Sequence, residues 1–161
     1  MLFRSVTSEP FSIEKNTGLK PKVFLLADQG FSAYSTLIET RRDLVEKKPG
    51  LVQRFVDASA IGWYNYLYGD NKAANDRIKK DNPEMTDAAI AYSIARMKEY
   101  GIVDSGDALT MGIGAMTEGR HKSFFDKMAK AGVVKADLDW KKAFDLRFVN
   151  KKVGLDLRPK N

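Results

Sequence analysis

VFLLA, at residues 23–27, is a continuously apolar run bounded by Pro21 and Gly30. A short apolar run between turn residues is typical of a strand that is covered on both faces, as in a parallel or mixed sheet. Beyond Gly30, residues 34–40 (YSTLIET) are rich in the β-branched and aromatic residues that favour strands. These two runs predict an α/β fold with a small mixed sheet.

A third, weaker strand is predicted upstream, at residues 2–6 (LFRSV), before the turn-prone Ser8, Glu9 and Pro10. Proline biases the preceding residue away from helical backbone, so Glu9 is predicted in an extended bend directly after a strand. Ligands of α/β sheets bind at this position, which makes Glu9 a candidate binding carboxylate. The alternative is an ordinary surface charge, because glutamate is mostly exposed.

Helical periodicity predominates after residue 40, so a mostly helical C-terminal part follows the sheet. Pro49, at a first-turn position, opens a helix that reaches about Tyr68 and ends at Gly69. Thr86 caps the clearest helix, and Thr117 caps another. The apolar stripe predicted on the helix that begins at Pro49 consists of Val52, Phe55, Ser59, Trp63 and Tyr66.

The length of 161 residues is enough for one domain with a single core. The hydrophobic fraction of 43% is typical of a globular protein. No apolar stretch approaches the roughly 20 residues that span a bilayer. The absence of cysteine excludes disulfides, thiolate zinc sites and cysteine nucleophiles. The formal net charge is +6, with its local excess in residues 147–160, which we interpret as a solvated tail. We therefore predict no nucleic-acid partner.

Several motifs look chemical but lack essential parts. GIG at residues 112–114 begins like a dinucleotide fingerprint, yet Thr117 stands where the third glycine belongs. His121 is the single histidine, so a metal site would need carboxylates for its other ligands, and we interpret it as an exposed helix residue. Asp104 and Asp107 lack the register of a calcium loop. We predict no catalytic residue, no metal, no cofactor and no enzymatic activity.

Longer stretches of the chain resemble solute-binding proteins of bacterial ABC importers, specifically the thiamine-pyrimidine-precursor, nitrate and sulfonate-type group. These stretches are TSEPF at 7–11, ETRRDL at 39–44, LVQRFVDA at 51–58, KDNPEMT at 80–86, KEYGIV at 98–103 and GIGAMT at 112–117. The resemblance covers about residues 6–154. It is specific for the family and says little about the solute.

The resemblance implies a periplasmic-binding-protein-like (type II) fold, in which two α/β lobes close on a solute in the cleft between them. By this comparison the chain is a C-terminal half. Residues 1–33 would end the second lobe, residues 34–40 would form a hinge strand, and residues 41–161 would return as helices to the first lobe. The cleft position of the Ser-Glu-Pro segment implies that Ser8, Glu9, Tyr34 and Ser35 bind the ligand.

The implied function is that of a solute-binding component, or a truncated fragment, of an ABC importer. Its partners would be an ABC permease and a small organic or heterocyclic solute, such as an aminopyrimidine or a sulfonate. We also expect a homo-oligomer, because a lobe without its packing partners leaves an apolar face in water. The alternatives are an enzyme of the same fold that processes pyrimidine or heterocyclic precursors and a truncated oligomer that binds no solute.

Two observations predict different cellular compartments for this protein. The family resemblance implies the periplasm. The first residues, however, lack the apolar region and small-residue cleavage site of a secretory signal, so the chain expressed as written would be cytoplasmic.

Overall fold

The computed structural model describes residues 5–160, and every regular element in that range is a helix. The α-helices are α1 (Glu9–Thr17), α2 (Arg42–Lys47), α3 (Pro49–Tyr68), α4 (Lys72–Asp81), α5 (Asp87–Glu99), α6 (Ala108–Met111) and α7 (Glu118–Lys130). Short 3-10 helices lie at Ala27–Gln29, Trp140–Ala143, Leu146–Phe148 and Leu155–Leu157. None of the helices in the described range has the length and apolar character needed to cross a bilayer.

The predicted α/β, periplasmic-binding-protein-like fold with a small mixed sheet is wrong for residues 5–160, which contain no strand. Residues 23–27 are irregular backbone that runs into a 3-10 turn, and the Phe24 side chain is 75% exposed. Residues 34–40 are irregular as well. Of the strand predicted at residues 2–6, residues 2–4 lie outside the described range, and Ser5 and Val6 are not extended in a ladder.

The physical reason for this error is that a strand is not a local structure. Its N–H and C=O groups need a neighbouring strand, and a sheet needs several such pairings before it is stable. A helix satisfies its backbone within the segment. The apolar runs carry the side chains of a strand, but the described part of the chain pairs them with nothing.

Glu9 opens helix α1, so its predicted extended conformation is also wrong. Pro10 occupies the first turn, where its missing N–H costs no helical hydrogen bond and its fixed φ suits the helix. Gly18 ends α1 in the left-handed conformation that glycine adopts without strain. Proline therefore acts here as a helix starter instead of enforcing a bend.

Helix α3 has the bounds that Pro49 and Gly69 predict, but its buried face differs from the predicted one. Its buried residues are Val52, Ala60, Tyr64 and Leu67. Of the predicted stripe only Val52 is buried, and Phe55 is 61% exposed. Because α3 carries apolar residues around much of its circumference, periodicity identifies the helix but does not select its inner face.

The core lies where α3 meets the C-terminal residues. Tyr64 is 1% exposed and clusters with Leu67 and Ile113, and its hydroxyl oxygen accepts a hydrogen bond from the Ile113 N–H at 3.2 Å. Gly154 has a φ of +71°, and a Cβ at this position would lie 2.9 Å from the Tyr64 ring. The turn Leu155–Leu157 thus packs closely against α3.

A buried carboxylate joins three parts of the chain beside this core. The Asp104 side chain is 3% exposed, and its Oδ2 accepts hydrogen bonds from the Tyr68 hydroxyl at 2.6 Å and from Arg158 Nε at 2.8 Å. Burial raises the pKa of Tyr68 to about 12, and the hydrogen bond to Asp104 adds to this effect. Asp104 therefore holds the C-terminal residues to α3.

Two peripheral contacts position the candidate site residues. Helix α1 packs on α5, where the Phe11 and Tyr92 rings lie 5.4 Å apart and Ser93 Oγ donates to the Thr7 carbonyl oxygen at 2.6 Å. Helix α7 packs on the 3-10 helix Trp140–Ala143. Its N-cap is Thr117, as predicted, whose hydroxyl oxygen accepts from the Arg120 N–H.

Candidate functional site

Ser8 and Glu9 lie half-buried at the start of α1, on the side of the molecule where α1 packs on α5. Oε2 of Glu9 accepts hydrogen bonds from Ser8 Oγ at 2.5 Å and from the Ser5 N–H at 3.1 Å. A carboxylate accepts hydrogen bonds from amino groups, which makes Glu9 the candidate acceptor for the amino group of a solute. The first turn of a helix is a favourable place for its negative charge.

Tyr34 and Ser35 lie on a different element, in the irregular segment that precedes α2. The Tyr34 hydroxyl oxygen accepts a hydrogen bond from the Thr117 N–H at 2.9 Å, which places the phenol at the first turn of α7. The Arg120 guanidinium lies 4.2 Å from the Tyr34 ring centroid, and its Nη2 donates to the Ala33 carbonyl oxygen at 3.0 Å. Tyr34 is therefore fixed from two sides, whereas Ser35 is exposed.

His121 is packed among aromatic rings, so its predicted exposure is wrong. Its imidazole stacks on Phe144 with ring centroids 4.0 Å apart and an interplanar angle of 1°, and it lies 5.0 Å from the Tyr34 ring. Nε2 of His121 is enclosed and has no hydrogen-bond partner among the described residues. Burial lowers the pKa of His121, and the Arg120 guanidinium lowers it further.

We call Tyr34, His121, Phe144, Trp140 and Phe125 the aromatic cluster. Beyond the His121 contacts, Trp140 lies 5.9 Å from Phe144 and 6.2 Å from Phe125, with the ring planes roughly parallel in both pairs. Sequence reasoning missed the part that His121 plays. The available signal was its position four residues before Phe125, which places both side chains on one stripe of α7.

The structure thus places the four predicted ligand-binding residues on two surfaces, Ser8 and Glu9 beside α5 and Tyr34 and Ser35 beside α7. Two cavities lie elsewhere. One of about 240 Å³ lies beside α2 and the start of α3, and a groove of about 510 Å³ runs between α4 and α5. None of the four residues lines either cavity.

The groove between α4 and α5 has both apolar and polar lining residues. Ile90 and Ile94 of α5 line it, together with Asn71 and Asn75 from the side of α4. Nδ2 of Asn75 donates to Oδ1 of Asn71 at 2.9 Å. The volume of the groove is in the range of small-molecule binding sites. For metals, residues 5–160 contain no group of three or more histidine, aspartate and glutamate side chains placed to hold an ion.

A family model matches part of the chain. Residues 5–74 match the family model described as NMT1/THI5 like, a solute-binding family, and all four predicted ligand-binding residues lie within the matched segment. The match confirms the resemblance over these residues, which make up fewer than half of the chain. Most members are binding proteins, and THI5 itself is an enzyme-like member. No curated protein and no solved structure matches the chain.

Proposed function

We propose, from the match of residues 5–74 to a solute-binding family, that this chain is the solute-binding component of an ABC importer. The solute is a small organic or heterocyclic molecule, and its capture makes and breaks no covalent bond. That match is the observation that carries the proposal, because it includes Ser8, Glu9, Tyr34 and Ser35. An ABC permease as the partner and the periplasm as the compartment belong to the same proposal.

The two surfaces suit solutes of different chemistry. Glu9 offers a carboxylate, which accepts hydrogen bonds from the amino group of an aminopyrimidine. The Tyr34 surface offers the Arg120 guanidinium, whose planar fork of donors matches the oxygens of a sulfonate. Each solute class should therefore depend on a different charged residue, which makes the two classes separable by mutation.

Calorimetric titration tests this dependence. We expect Glu9→Ala to weaken aminopyrimidine binding by about tenfold to a hundredfold, because a hydrogen bond to a charged group contributes about 1.5–3 kcal/mol. Glu14→Ala, which removes an exposed carboxylate from the same helix, should leave binding unchanged. For an aryl sulfonate the corresponding pair is Arg120→Gln and Lys122→Gln, and only the former should lose affinity.

Three results of these titrations would contradict the proposal. The first is a wild-type chain that binds neither solute, and the second is equal affinity in each variant and its control. The third is chemical conversion of the solute, measured by mass spectrometry of the recovered sample. Conversion would favour an enzyme that processes heterocyclic precursors, and the family includes one enzyme-like member, THI5.

The homo-oligomer is also a proposal, and it has its own support. Large apolar side chains are exposed at the irregular segment and on the outer face of α3, with Phe24 and Phe55 the most exposed aromatics of the two regions. Burying one such side chain contributes about 1.5–3 kcal/mol, so a second copy of the chain gains by covering them.

Light scattering at micromolar concentration should give the mass of two chains for the wild type. The double variant Phe24→Ser and Phe55→Ser should shift the mass toward one chain, because the contact loses its two most exposed aromatic side chains. A control pair of exposed polar positions, Gln29→Ser and Asn65→Ser, should not change the mass. A wild-type mass of one chain across this range would refute the oligomer.

A further inference from the structure

We infer that His121 is a positioning residue for Tyr34, that its neutral imidazole holds the Tyr34 ring against α7, and that protonation of His121 in mild acid loosens this contact. The consequence for solute binding rests on the proposed function, since Tyr34 is one of its four binding residues. The coupling between His121 and Tyr34 rests on their geometry alone.

The geometry leaves Tyr34 dependent on α7. Its phenol oxygen takes the Thr117 N–H, the Arg120 guanidinium covers its ring at 4.2 Å, and the His121 ring lies 5.0 Å away at an angle of 49°. His121 is also stacked on Phe144, with the ring centroids 4.0 Å apart. The imidazole therefore contacts both rings, and a change in its position or charge reaches Tyr34 directly.

A protonated His121 fits this place poorly. Both ring nitrogens of an imidazolium are donors, and the enclosed Nε2 faces no acceptor among the described residues. The added charge would also lie beside Arg120. Attraction between an imidazolium and the face of Phe144 opposes these two effects. The direction of the His121 pKa, lowered by burial and by Arg120, agrees with a net preference for the neutral ring.

The carboxylates on the surrounding elements are engaged with cations of their own. The pairs are Glu118 with Lys141, Asp126 with Lys122, Asp139 with Lys142 and Asp145 with Arg147. The segment before α2 contributes the Tyr34 phenol, and α7 itself contributes Arg120. The titration of His121 is therefore set mainly by burial and by Arg120.

The sign of the pH effect follows from these contacts. Because the folded chain favours neutral His121, the contact with Tyr34 is complete above the ordinary histidine pKa of 6.5 and is lost as the pH falls below it. Tyr34 should then separate from the Thr117 N–H, and a solute held by Tyr34 should be released. The device would couple solute release to acidification.

Nuclear magnetic resonance measures the coupling without any solute. Since His121 is the single histidine, a chain labelled at histidine gives one imidazole signal, which can be titrated from about pH 8 to about pH 4.5. We expect a midpoint below 6.5 and ring signals of Tyr34 that shift with the same midpoint. A midpoint at or above 6.5, or Tyr34 signals that do not follow it, would overturn the inference.

His121→Phe separates a positioning role from a merely structural one, because it keeps a ring on Phe144 and removes the titration. In this variant the Tyr34 signals should stay constant with pH, and solute affinity should be equal at about pH 7.5 and about pH 5. The wild type should lose affinity about threefold or more over the same interval. If His121→Phe does not fold, the wild-type titration still shows whether the Tyr34 signals follow the protonation of His121.

The two proposals fail in distinguishable ways. If neither the aminopyrimidine nor the sulfonate binds at any pH, the proposed function is refuted, while the His121 and Tyr34 titrations still test their coupling. If a solute binds with an affinity that does not change between the two pH values, the regulatory consequence is refuted. Lys130→Gln, which removes an exposed charge from the last turn of the same helix, should behave as the wild type does.

Discussion

Replacing Tyr64 with alanine should lower the free energy of unfolding by about 3–5 kcal/mol, the loss typical of truncating a fully buried aromatic side chain. Tyr64 is 1% exposed and packs against Leu67, Ile113 and the close approach of Gly154 to α3. Removing its ring leaves a cavity at the point where the C-terminal residues meet α3. Because the whole free energy of unfolding of a domain is only about 5–15 kcal/mol, the midpoint of urea denaturation should shift to a much lower urea concentration.

Two variants identify the cause of that loss. Tyr64→Phe keeps the ring and removes the acceptor of the Ile113 N–H, so we expect a loss of about 1–3 kcal/mol. Trp63→Ala removes a larger, partly exposed ring from the neighbouring position of the same helix. It should lower the free energy of unfolding by less than Tyr64→Ala does. Equal losses for Trp63→Ala and Tyr64→Ala would mean that the core does not lie on this face of α3.

Replacing Asp104 with alanine is the second large effect, an expected loss of about 2–4 kcal/mol. The substitution leaves the Tyr68 hydroxyl and Arg158 Nε without their shared acceptor. We place the loss below that of a fully buried ion pair because Arg158 is 30% exposed and water can solvate it. Thermal unfolding followed by circular dichroism measures the change.

The controls for Asp104 come from the same loop. Asp107→Ala removes an exposed aspartate that makes no side-chain cap, so stability should change by less than about 0.5 kcal/mol. Asp104→Asn keeps an acceptor oxygen, so its free energy of unfolding should fall by less than that of Asp104→Ala. Removing the carboxylate should also lower the pKa of Tyr68 from about 12, since the hydrogen bond to Asp104 is one of its causes. Equal stability of Asp104→Ala and Asp107→Ala would refute the role of the buried carboxylate.

Parts of the candidate site were predictable, and parts were not. The residues TSEPF at 7–11 indicate the solute-binding family, and the match over residues 5–74 bears this out. The contacts of Tyr34 could not be predicted, because Thr117, Arg120 and His121 lie more than 80 residues away in the sequence. That Ser8, Glu9, Tyr34 and Ser35 bind a solute stays a prediction.

The sequence by itself determined where the principal helices begin. Pro49 starts α3, and the hydroxyls of Thr86 and Thr117 cap α5 and α7 by accepting the backbone N–H three residues later. These contacts act within one helical turn, so local residue types are enough to specify them. The same is true of Gly69, which ends α3.

Only the tertiary structure decided which surfaces face inward and whether the apolar runs pair as strands. Tyr64 became the centre of the core because Ile113 and Gly154 approach that side of α3, although Phe55 is just as apolar. Residues 23–27 have strand composition, but strand pairing and burial require partners brought from elsewhere in the chain. Such contacts depend on how the helices pack together, and no residue pattern confined to one segment contains that information.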